Sequence, residues 1–134
     1  MDLSVWPVEF YSIVEEIKTA EWPIPQLSHE KECRFLDTDG HCQIYPFRPL
    51  ICRTHGLPLV YWHDETDPPG YGVMFCEKNF ASSDEIDFSP DNTLNMDEVN
   101  EKLARLNLAF IEKNQDLRLE PTTRIELRRL LDYL

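Results

Sequence analysis

Apolar residues recur at helical spacing near both ends of the chain and lose that period in the middle. Phe10, Ile13, Val14 and Ile17 stand at i, i+3, i+4 and i+7, which predicts an amphipathic helix from Pro7 to about Ala20. Glu15, Glu16 and Lys18 fall on its wet side. The run Trp22-Pro23-Ile24-Pro25 stops it, because proline lacks an N–H and restricts the residue before it. Toward the other end, Asn95 with Glu98 three residues on forms a capping box, and Met96, Val99, Leu103, Leu106 and Phe110 predict a helix reaching about Lys113. Thr123 with Glu126 repeats the capping pattern before Leu127, Leu130, Leu131 and Leu134, so a final helix is expected there. Both stripes are too short for a coiled-coil seam and read as core.

Between these ends, Glu32 to Phe80 holds all four cysteines, all four glycines and five of the ten prolines. Asp39-Gly40, flanked by Arg34-Phe35-Leu36 and Cys42-Gln43-Ile44-Tyr45, predicts a small hairpin that folds Cys33 back toward Cys42. Arg48-Pro49 through Gly56 has proline where a helix starts and glycine where one ends, which fits two turns with Arg48, Cys52 and His55 on one face. Leu57 to Trp62 and Gly72 to Cys76 are strand-like and are joined by a loop containing Pro68-Pro69-Gly70. The expectation is an α+β fold in one small domain spanning 1–134. An irregular cysteine-rich centre with short hairpins is flanked by an N-terminal helix and, over 94–134, a C-terminal helical pair.

Composition narrows the function. Thirteen Lys and Arg against 25 Asp and Glu give a formal net charge of −12, which disfavours nucleic acid and anionic membrane and leaves room for a basic or neutral protein partner. The charged residues among the first 27 leave no apolar leader, and no apolar run approaches the roughly 18 residues that span a bilayer. A cytoplasmic location is therefore expected, where cysteines serve metal binding, redox chemistry or simple burial more often than disulfides.

Cys33, Cys42, Cys52 and Cys76 follow a C-x8-C-x9-C-x23-C pattern without the paired knuckles of a zinc ribbon. Between Glu32 and Cys76 the only Lys or Arg side chains are Arg34, Arg48 and Arg53, each close in sequence to a cysteine. Guanidinium donors suit the negative charge of thiolates around zinc or a four-iron four-sulfur cluster, and a metal would crosslink a segment with little core. Burial as small apolar side chains is the competing reading. His55 is a reserve ligand. His29, His41 and His63 read as exposed. No Ser-His-Asp set, phosphate loop or H-E-x-x-H pattern is present.

The blocks Cys33-Arg34-Phe35-Leu36, Gly40-His41-Cys42-Gln43-Ile44-Tyr45 and Arg48-Pro49-Leu50-Ile51-Cys52-Arg53 resemble the YkgJ-type cysteine-cluster family, a bacterial family to which zinc or iron chelation is ascribed. The resemblance runs from about Ser4 to Phe80 and implies that Cys33, Cys42, Cys52 and Cys76 are the chelating set. Members carry further cysteines, including a C-C pair, before the segment that Ser4-Val5-Trp6-Pro7 resembles, and this sequence has none there. The expectation is either a start downstream of the true one or a cluster reduced to four cysteines. A related cysteine pattern in a flagellin lysine methylase, thought to use an iron–sulfur cluster, keeps a redox or methyltransferase-related enzyme component as the alternative.

Overall fold

The computed structural model describes residues 2–80 and 87–134, so residues 82–86 of the acidic stretch after Phe80 lie outside it. The fold is α+β, as expected, and resolves into two compact units, Met1–Arg53 with Leu106–Leu134, and Thr54–Arg105.

The first unit is organised by helix α1, Pro7–Thr19. Its predicted stripe is the buried face: Phe10, Ile13, Val14 and Ile17 pack with Val5, Phe35, Ile44, Phe47, Ile125, Leu127 and Leu130 in one core. Burial of each large side chain contributes on the order of 1.5–3 kcal/mol, so this core dominates the unit's stability. The helix closes in a Schellman arrangement, with Trp22 N–H donating to Ile17 O and Glu21 N–H to Lys18 O. Glu21, not glycine, takes the left-handed position at φ 49°. Trp22 then anchors the exit, since its Nε1 donates to Gln43 O at 2.8 Å and its ring meets Phe47 edge-on.

Two short strands tie the chain ends together. Strand β1, Ser4–Val5, pairs antiparallel with Ile125–Glu126, and Leu127 N–H continues the ladder to Leu3 O. That pairing explains why the last segment departs from expectation. Glu126 is held extended, the Thr123 hydroxyl accepts from Glu120 N–H, and Leu127–Asp132 forms a 3-10 helix. Its three-residue repeat aligns Leu127 and Leu130, both buried.

The hairpin expected around Asp39-Gly40 shrinks to a single antiparallel bridge, Leu36 with Cys42. The Asp37 carboxylate accepts from the N–H groups of Asp39 and His41, and Gly40 turns at φ 86°, so the backbone donors serve the turn instead of a longer ladder. Helix α2 is also shorter than expected, Leu50–Thr54. Arg48 precedes Pro49 with ψ 136°, the extended conformation a following proline imposes, and stands outside the helix.

In the second unit, strands β2 (Leu59–His63) and β3 (Gly70–Met74) form the expected hairpin in the register Val60 with Val73 and Trp62 with Tyr71. The far strand ends at Met74, two residues before Cys76. Strand β4, Leu94–Asn95, lies parallel to β2 on its other edge, giving the order β3-β2-β4. Phe75, Phe80 and Phe88 contact one another ring to ring, and Met96 is buried.

Helix α3, Met96–Lys113, starts as predicted, with the Asn95 carboxamide accepting from the N–H groups of Asp97 and Glu98. Its apolar stripe is corrected at one step. Leu106 is 60% exposed while Asn107 is fully buried, because the Asn107 Oδ1 accepts from Val8 N–H and so satisfies an orphan donor in the first turn of α1.

A candidate metal centre

Cys42 is one member of the Leu36–Cys42 bridge and Cys33 lies three residues before the other, both packing against the core of the first unit, and Cys52 lies within α2. All four cysteines are free and half-buried. The first three sense one another. Burial pushes the Cys42 thiol up, and charge on Cys33 adds to that effect while Arg48 opposes it. Burial likewise raises Cys52, reinforced by Cys33 and Cys42 and opposed by Arg48. Burial thus favours the thiol form of Cys42 and Cys52, and a bound cation has to displace their protons. These sulfurs are near enough to interact but not drawn together: among the described residues no three of them lie within 4.8 Å of one another.

The three arginines divide their work. Arg48 is the one whose charge reaches the sulfurs, and it is pinned with its guanidinium 3.7 Å over the Tyr45 ring and its Nε donating to Tyr45 O. Arg53 spends its donors on the carbonyls of Arg48 and Pro46, at 2.6 and 2.7 Å, and so fixes the turn leading into α2. Arg34 pairs with Asp2, holding that carboxyl below its ordinary value. Of the three arginines close in sequence to a cysteine, Arg48 is thus the one whose charge bears on Cys42 and Cys52.

Glu9, which the sequence offered only as one of the charges among its first 27 residues, positions the cysteine helix. Its carboxylate accepts from Leu50 N–H at 2.9 Å and from Trp6 N–H at 3.4 Å, so one side chain caps α2 while closing the first turn of α1. Its place three residues into a proline-led helix was the available signal, but the distant partner was not legible.

Cys76 belongs to the second unit. A Cβ added to Gly56 would stand 3.6 Å from the Cys76 Cβ, and Asn79 Nδ2 donates to Gly56 O at 2.8 Å, so the segment carrying this cysteine is fastened to the turn after α2. Gly56 needs its φ of 84° there. His55 is exposed in that turn. Asp37, Asp39 and His41 bring one ligand atom each within 4.8 Å, but on an exposed turn whose own backbone bonds account for the convergence.

The first unit thus carries three free, half-buried cysteines, with Arg48 the guanidinium whose charge reaches two of them. Residues 6–68 match the CxxCxxCC family model, described as "Putative zinc- or iron-chelating domain", which bears out the family resemblance over that stretch. The matched residues include Cys33, Cys42 and Cys52 and end before Cys76. Searches of curated proteins and of solved structures returned no match. No helix among the described residues is long and apolar enough to cross a membrane.

Proposed function

We propose that this protein chelates zinc or iron through Cys33, Cys42, Cys52 and Cys76, working in a reducing compartment such as the cytoplasm. The observation that carries this reading is the match of residues 6–68 to a zinc- or iron-chelating family model, a span that holds Cys33, Cys42 and Cys52, all free and half-buried. Thiol donors fit a borderline-soft cation, and four of them complete either a tetrahedral zinc site or the ligand shell of a four-iron four-sulfur cluster. Deprotonated sulfurs around such a centre leave excess negative charge, which the pinned Arg48 offsets. When bound, the metal supplies a crosslink. The chain itself supplies position: Glu9 and Arg53 hold α2, the Asp37 turn holds Cys42, and Asn79 holds the segment that carries Cys76.

The test is to purify the chain anaerobically without added metal or chelator and to measure zinc, iron and sulfide with a visible spectrum. About one zinc per chain and no colour identifies a structural zinc site. Iron with matching sulfide and a brown colour identifies a cluster and favours a redox role. Cys52→Ser then loses metal and lowers the protection of the amides around α2 and Cys76 more than that of α1. Unchanged metal content and melting in that variant would overturn the assignment.

A further inference from the structure

Two aromatic rings of this chain are met by its own arginines, with Arg48 3.7 Å over Tyr45 and Arg124 3.0 Å over Trp6. The β2–β3 hairpin differs. Trp62 and Tyr71 face each other across the two strands, share a face with Val60 and Val73, and meet edge-on with ring centroids 5.1 Å apart. They are 50% and 65% exposed, and no cation of the described residues covers them. Residues 54–77 contain no Lys or Arg at all. The loop joining the strands instead carries Asp64, Glu65 and Asp67, all exposed. Across the whole second unit there are 11 acidic residues and three basic ones.

The hairpin is also held in shape. Asp97 Oδ2 accepts from Trp62 N–H at 2.7 Å and β4 pairs with β2, which fixes the strand that presents the tryptophan. A preorganised Trp–Tyr pair on a hairpin whose loop carries three exposed acidic residues has the composition of an interaction hot spot and the charge of a cation receptor. We infer that the Trp62–Tyr71 face of this hairpin docks a basic segment of a partner protein, an arginine side chain stacking on the rings while Asp64, Glu65 and Asp67 hold its charge. A second copy of this chain is a poor occupant, since its net charge of −12 repels its like, and nucleic acid is repelled for the same reason.

The probe is a fluorescein-labelled oligo-arginine peptide, compared with oligo-lysine of equal charge by fluorescence anisotropy at physiological salt. The arginine peptide binds several-fold tighter, and the paired substitution Trp62→Ala and Tyr71→Ala weakens it roughly tenfold and removes the preference for arginine. Asp64→Asn with Glu65→Gln and Asp67→Asn weakens both peptides and flattens their salt dependence. Circular dichroism checks that each variant is folded. Should the double variant fail to fold, the indole N–H resonance of Trp62 in the wild-type chain serves instead, shifting on titration while those of Trp6 and Trp22 stay in place. Arginine binding that survives loss of both rings, or an unmoved Trp62 resonance at saturation, overturns the inference. Self-association that the ring substitutions abolish also overturns it and makes a second copy the occupant.

Discussion

The two units of this chain are built on opposite terms. The first holds the core cluster, with Phe10 and Leu130 fully buried, and it holds three of the four cysteines. The second buries only Thr54 and Met96 among its described residues, leaves Leu57, Trp62, Tyr71 and Met74 in water, and carries two-thirds of the net negative charge. A unit with so little buried surface gains less from the hydrophobic effect. The apolar unit rests on its core, and the acidic unit presents exposed charge and aromatic surface.

Core substitution breaks that contrast most directly. Phe10→Ala should cost about 3–5 kcal/mol, because it empties a fully enclosed site between α1 and Tyr133. Phe75→Ala in the second unit, where the ring is already 36% exposed, should cost no more than about 2 kcal/mol. Denaturant unfolding of both variants measures the difference. Equal losses would mean that the second unit has a core as good as the first.

Sequence patterning reached the elements whose causes are local and missed those set by distant partners, for physical reasons. Helix α1 was legible because four residues at 3.6-residue spacing all turn inward, and the start of α3 because Asn95 caps it locally. The Leu106 to Asn107 slip was not legible, since the buried asparagine answers a donor 99 residues away. The same holds for Glu126, held extended by a two-residue strand from the other end of the chain. At the candidate site the cysteines and Arg48 were visible from residue type and spacing. The diversion of Arg34 to Asp2 and the clamp made by Glu9 needed tertiary structure.

Alkaline titration sharpens the contrast with a smaller effect. Tyr11 stacks on Phe110 and meets Phe10 and Tyr133 edge-on, and burial together with its hydrogen bond to Tyr133 pushes its pKa up to about 12. The fold therefore favours the protonated ring. That contribution is whole below the ordinary value of 10.0 and is lost as pH climbs through about 12. Ultraviolet titration of the phenolate band should show a late-ionising tyrosine that Tyr11→Phe removes, together with part of the stability lost over that interval. A Tyr11→Phe variant with an unchanged titration curve would place the late ionisation elsewhere.

The smallest effect lies where the first unit carries strain. Glu21 occupies the left-handed position that ends α1, a conformation costing an L-residue about 1–2 kcal/mol, whereas glycine adopts it freely. Glycine in turn loses more chain entropy on folding, about 0.5–1 kcal/mol. The balance favours Glu21→Gly by up to roughly 1 kcal/mol, read as a higher denaturant midpoint with an unchanged slope. The Trp22 bonds to Ile17 O and Gln43 O should survive, because they belong to the residue after the turn. A lower midpoint would show that the Glu21 side chain repays its backbone cost, and that the exit from α1 is relaxed as it stands.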